Sequence, residues 1–232
     1  MIEEPDKANT KEMECLDFCG ETVMRGISLG LMLVCLMAAP LFAMSPSDFG
    51  ADGLKGLTGQ EKNQLAAGEV VFFTSDSGDE VKHALIQAVV VFDQPPEKVW
   101  DLLYHTEDQI KYLEEIKDIQ VINKDKSQDN IEFHLKILWM DILYRVIHQF
   151  DQADLFFHWG LDPSFKNDLD DLEGYWQLYP YGDGKTLARY GSQVSIRNVP
   201  SFIENMFKKN GVRKSLLAVK QYVDSGGTWE HE

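Results

Sequence analysis

Cysteine is absent from the chain after Cys35, and Cys15, Cys19 and Cys35 are the three that occur among its 232 residues. Everything beyond Ala43 therefore folds without a disulfide and has no thiol nucleophile. A cysteine zinc site is excluded, since Cys15 and Cys19 have no second pair to complete one. Positive charge is also scarce: 22 lysines and arginines stand against 38 aspartates and glutamates, for a formal net charge of -16. A nucleic acid held through its phosphates needs a basic surface. The nearest candidate, Lys208, Lys209, Arg213 and Lys214, reads as the solvated face of a helix. There is no HExxH, no GxSxG, no glycine-rich phosphate loop and no internal repeat. His83, His105, His134, His148, His158 and His231 are dispersed. The acidic run Asn167 to Glu173 lacks the spacing and the glycine of an EF-hand and reads as a solvated loop. The sequence thus indicates no catalytic residue, no metal and no cofactor.

Apolar material is plentiful. At 44% hydrophobic and 11% aromatic residues the chain can build a packed core or a lined cavity. Residues 1–23 form an acidic leader, or precede the true start at Met24. Met24-Arg25 and the uncharged run Gly26 to Ala43 have the layout of a secretory signal, with a basic start, an apolar middle and a small residue before Met44-Ser45. The run is about as short as a spanning helix can be, so a cleaved signal and an uncleaved anchor both stand for residues 24–43. Either makes the protein exported, in the periplasm or held on the cytoplasmic membrane. Residues 44–68 read as a linker with a short helix near Glu61 to Ala67, 69–225 as one domain, and 226–232 as a tail.

The domain is organised around Ala84 to Leu113. A β-branched run (Ile86, Val89, Val90, Val91, Phe92) meets Asp93-Gln94-Pro95-Pro96, and Val99, Trp100, Leu102 and Leu103 follow at helical spacing. Proline has no N–H to donate and its φ suits a first helical turn, so the pair stops a strand and starts a helix, with Asp93 or Gln94 as its cap. A second short helix spans His105 to Leu113. Strands follow one after another: Asp118 to Asn123, Ile131 to Trp139, Tyr144 to Phe150, Leu155 to Trp159, Glu173 to Tyr181 and Thr186 to Arg197, the last two joined by Gly182-Asp183-Gly184. From Pro200, apolar residues recur at three- and four-residue spacing to Val223, a long amphipathic helix that Gly211 could bend.

The order of elements and the Asp93-Gln94-Pro95-Pro96-Glu97-Lys98-Val99-Trp100 corner resemble the START-like superfamily, which includes lipid-transfer START domains, coenzyme Q-binding proteins and polyketide cyclase/dehydrases. The resemblance covers roughly Glu69 to Val223. Tyr112 matches the aromatic of the family's second helix, whereas the proline that commonly follows it is missing from Leu113-Glu114-Glu115-Ile116. The resemblance implies an α+β helix-grip fold: a curved antiparallel sheet wrapped around a long C-terminal α-helix, with two short helices after the first long strand. It also implies an elongated apolar cavity. Candidate ligand-binding residues are then Trp139, Tyr144, His148, Phe157, Trp159, Tyr175 and Tyr190 from the strands and Phe202 and Met206 from the helix, although a plain core would use the same types. Alternation places His148 on the face of Tyr144 and Phe150, and turns His134 and His158 outward.

Two functions stay open, beside a purely structural interaction module whose cavity is filled with side chains. One is non-catalytic binding or transfer of a hydrophobic small molecule (lipid, quinone or polyketide-like), with membrane contact and no nucleic-acid partner. The other is a cyclase/dehydrase-like enzyme using polar cavity residues for proton transfer.

Overall fold

The two adjacent prolines divide the chain as the sequence requires. In a computed structural model that describes residues 47–74, 86–196 and 211–231, strand β2 (Ile86–Phe92) ends just before them and helix α2 (Pro96–Tyr104) begins at the second. Pro95 itself is the cap, with φ -68° and ψ 156°, in place of Asp93 or Gln94, and its carbonyl accepts the N–H groups of Lys98 and Val99. Asp93 and Gln94 are used differently: they reach the far end of the chain. The Asp93 N–H donates to Asp224 Oδ1 at 2.8 Å, and the Gln94 side-chain amide donates to the Asp224 carbonyl.

Helix α1 (Gly59–Ala66) and strand β1 (Val71–Thr74) precede β2, and β1 pairs antiparallel with it. After α2, a 3-10 turn (Thr106–Asp108) leads into the one-turn helix α3 (Gln109–Tyr112). Six strands then follow: β3 (Ile116–Lys124), β4 (Gln128–Ile137), β5 (Met140–Asp151), β6 (Phe156–Leu161), β7 (Leu169–Tyr181) and β8 (Lys185–Ile196). All pairings are antiparallel, and the eight strands form one sheet in the order β1-β2-β8-β7-β6-β5-β4-β3. Helix α4 (Val212–Asp224) closes the domain. The first half of the long helix expected from Pro200, with Phe202 and Met206, lies outside the described residues, as does the signal-like run Gly26 to Ala43. Among the described residues no helix is long and apolar enough to cross a membrane.

One face of the sheet holds the main core. Ile86, Ala88, Val90 and Phe92 of β2 pack with Val99, Trp100 and Leu103 of α2 and with Leu216, Val219, Tyr222 and Val223 of α4. These α4 residues recur at three- and four-residue spacing, so one stripe of the helix is buried. The opposite face is covered too, which departs from the linker expected at residues 44–68. Thr58 and Glu61 form a capping box that starts α1, and Leu65 of that helix is buried with Val71, Val89, Val91 and Leu187. The buried Arg189 side chain fixes the segment before it, donating to the carbonyls of Gly53 at 2.7 Å and Lys55 at 2.8 Å and lying 4.5 Å from the Phe49 ring centre. Gly53 has φ 72°, and a Cβ there would run into Tyr179 and Leu187, so glycine is needed for the chain to lie this close. At the other terminus the expected tail folds back, its His231 N–H donating to the Lys111 carbonyl at 3.0 Å.

Candidate ligand cavity

Between the sheet's core face and α4 lies a partly open space in two adjoining lobes. The first, of about 180 Å³, is lined by α3 and α4 and by the inward residues of β4 to β8. The second, of about 150 Å³, continues past Tyr144, Leu172 and Tyr190 toward Ile137, Ile142 and Val212. A wider groove, of about 420 Å³ beside Phe165 and Leu169, is built from the β6–β7 connection and opens outward.

Alternation decides which side chains enter. On β5, Tyr144, Val146 and His148 face inward, on β6 Phe157 and Trp159, on β7 Leu172 and Trp176, and on β8 Tyr190 and Ser192. The rings touch: Trp176 and Tyr190 lie 4.7 Å apart between centres, Phe133 and Tyr144 stack at 5.3 Å, and Trp159 lies 5.9 Å from His148 and 6.1 Å from Tyr190. Trp159 has room because its partner in the sheet is Gly174, where a Cβ would overlap the indole. Tyr112, the only aromatic of α3, stacks on Tyr222 of α4 at 4.4 Å, and the Tyr222 hydroxyl donates to Asp108 Oδ2 at 2.7 Å. Tyr112 thereby lines the cavity beneath the short helices.

Of the expected site residues, Tyr144, His148, Phe157, Trp159 and Tyr190 line the first lobe together. Trp139 does not. The apolar run Ile137 to Met140 contains the β4–β5 turn, and Trp139 stands at its tip, 71% exposed. Leu138 takes φ 55° there, a conformation usually left to glycine. Tyr175 is also elsewhere: it points to the outer face, stacked near Phe49 and Phe156 and accepting from the Gln87 amide at 3.3 Å. Its neighbour Trp176 takes the inward place. Phe202 and Met206 lie outside the described residues. His134, on the outer face, pairs with Asp141, while Arg145 bonds Glu132 at 2.8 Å and Arg189 holds residues 53–55. Neither arginine reaches the cavity, and Arg197, the third arginine that could anchor a ligand's headgroup, lies outside the described residues. In the acidic run, Asp168 and Asn167 accept the Leu143 and Arg145 N–H groups, so these residues stitch a loop to β5. Among the described residues no cluster of three or more His, Cys, Asp or Glu side chains is placed to hold a metal ion.

The residue that sequence reasoning missed is Asp129. It is fully buried, directly opposite His148 in the β4–β5 register, and its Oδ1 lies 2.6 Å from His148 Nδ1. The signal was available: Asp129 has the parity of Ile131, Phe133 and Leu135, an acid on the apolar face of a strand, but the polar run before Ile131 reads as a turn. Burial raises the hydroxyl pKa of Tyr144, and pushes that of Tyr190 up to about 12 against an opposing hydrogen bond from Ser192. The cavity's phenols are therefore neutral donors across the physiological range.

This geometry can be set beside known folds. No family model and no curated protein sequence matches the chain. Solved structures do. A STAR-related lipid transfer protein fragment from Xanthomonas axonopodis superposes with TM-score 0.53 at 10% identity, covering 66% of this chain and 98% of that one. The Zhui aromatase/cyclase from Streptomyces sp. R1128 gives 0.52 at 11%, covering 61% and 94%, and a START superfamily protein from Mycobacterium smegmatis gives 0.51 at 14%, covering 61% and 97%. The fold is the START-like helix grip. At such identities the likeness is one of architecture, and in this helix grip the gripped element is α4, with the cavity between it and the sheet.

Proposed function

We propose that this protein binds a hydrophobic small molecule, of lipid, quinone or polyketide-like character, in the cavity between the sheet and α4, without catalysing its conversion. The observation that carries this reading is the lining itself. Two tryptophans, three tyrosines, two phenylalanines and several aliphatic side chains line the space, with Thr106, Gln109, His148, Ser192 and Ser215 as its polar groups, a make-up that suits a small-molecule site. The lipid transfer protein among the similar folds agrees with it.

Export completes the proposal. It rests on Arg25 and the uncharged run Gly26 to Ala43, which suit a signal or an anchor of a bacterial envelope protein. Membrane contact is supported by the exposed Leu138-Trp139 tip, since an indole is well suited to a membrane–water interface. A second reading, a cyclase-like enzyme, is favoured by one observation, the imidazole of His148 held against Asp129 in the cavity, together with the aromatase/cyclase among the similar folds.

Organic extraction of the purified full chain, followed by mass spectrometry, tests the main proposal. Recovery of a stoichiometric apolar compound supports it. Repeated recovery of nothing, with an experimental structure whose interior is filled by side chains, overturns it.

A further inference from the structure

A buried acid next to an imidazole is costly unless it has a purpose, because a carboxylate taken out of water needs a partner for each oxygen. Asp129 has one partner. Its Oδ1 meets His148 Nδ1, while its Oδ2 is buried and, among the described residues, accepts no hydrogen bond. Since a carboxylate offers only acceptors, the hydrogen between them belongs to Nδ1. When the ring is neutral, that choice fixes its other side: Nε2 carries a lone pair. Nε2 is on the ring edge away from the acid, and the ring lines the cavity while being only 5% exposed. Phe150 stacks on one side of the ring at 5.9 Å, and Trp159 is tilted against it at 5.9 Å. The imidazole is thus clamped by packing as well as by the acid.

The sign of charge around this acceptor is equally one-sided. Among the described residues lining the two lobes there is no lysine or arginine, and Glu115 stands at the second lobe. A ligand carboxylate or phosphate would come close to the charge of Asp129 with no lysine or arginine among the described lining residues to offset it. A hydroxyl would donate to Nε2 without bringing charge. Resting on the cavity reading above, we infer that His148 and Asp129 form the polar anchor of the site, and that its ligand is an uncharged molecule with an apolar body and a hydrogen-donating hydroxyl, as in a long-chain alcohol, a phenol or a quinol.

Displacement of the fluorescent apolar probe N-phenylnaphthylamine from the full chain tests this with three competitors of one chain length: dodecanol, methoxydodecane and dodecanoate. The expected order is dodecanol about tenfold tighter than the ether, the worth of one buried hydrogen bond, with dodecanoate weakest. His148→Leu brings the alcohol-to-ether ratio to about one. Should that variant unfold because Asp129 is left alone, the pair Asp129→Leu with His148→Leu removes both partners and is read in the same way. Asp129→Asn provides a separate check: nitrogen NMR of the His148 ring shows a single Nδ1-H form in the native chain and loses it in the variant, with a smaller alcohol preference. A hydroxyphenyl and a hydroxyalkyl competitor distinguish phenol from alcohol ligands. Equal binding of alcohol and ether, or dodecanoate binding tightest, overturns the anchor while leaving the cavity reading intact. Failure of the probe and of all competitors to bind overturns the cavity reading instead.

Discussion

The indole of Trp159 lies against Gly174, its neighbour on β7, in space that any Cβ at position 174 would occupy. The pairing sets the width of the cavity at its aromatic wall, because Trp159 also touches His148, Phe157 and Tyr190. Gly174→Val must push the indole inward. Overpacking of this kind costs about 1–3 kcal/mol, so urea unfolding should show a lower midpoint with unchanged slope, and apolar-probe binding should weaken. An unchanged midpoint with undiminished binding would contradict the role given to Gly174.

A second prediction concerns how the helix is gripped. Asp224 at the end of α4 accepts the Asp93 N–H, while Lys220 donates both to Asp224 Oδ2 and to the Val91 carbonyl at 2.6 Å. These bonds tie the last turn of α4 to the proline corner across more than a hundred residues of sequence. Bonds to charged, partly buried groups contribute about 1.5–3 kcal/mol. Asp224→Ala should therefore lower stability by roughly 2 kcal/mol and speed hydrogen exchange at the Asp93 amide; normal protection there would argue against the tie.

Arg189 offers a third. It holds residues 53–55 on the outer face of the sheet through two carbonyls, and its burial pulls its pKa below the usual arginine value. Lysine cannot make both bonds in the same plane. Arg189→Lys should expose the segment before α1 to limited proteolysis, with cleavage near Asp52 to Gly56 appearing several times faster than in the native chain.

The fourth follows from the tyrosines. Burial raises the pKa of Tyr112, Tyr144 and Tyr190 above the ordinary value of 10.0, and burial together with the bond to Asp108 does so for Tyr222. A raised value means that the folded state keeps its protons longer than the unfolded chain. The stability these groups contribute is complete below pH 10 and is lost as pH rises above it. The melting temperature should hold up to about pH 10 and then drop steeply, with phenolate absorbance of these residues appearing together with unfolding. Early ionisation in the folded protein would contradict their burial.

Much of this was readable from residues in order, for definite reasons. Two prolines mark the corner whatever surrounds them, and β5 and β6 alternate cleanly enough to turn Tyr144, His148, Phe157 and Trp159 inward. The reading failed where its assumption failed. Strand β7 is buried from Gly174 to Leu178 on both faces, because residues 47–66 cover the outer one, so alternation could not tell Tyr175 from Trp176. The β4–β5 turn escaped notice because it is made of Leu138 and Trp139 in place of glycine or asparagine, and Asp129 because a polar residue before an apolar run suggests a loop.

The claim on which the rest depends is that the space beside α4 receives a ligand, and two tryptophan substitutions on that helix test it most directly. Ser215 lines both lobes, whereas Leu217, two residues on, faces outward and is 46% exposed. Titration of the folded variants with N-phenylnaphthylamine should give saturable binding to the native chain and to Leu217→Trp, and none to Ser215→Trp. Equal binding by Ser215→Trp and Leu217→Trp would show that the probe sits elsewhere and that the cavity is not the site.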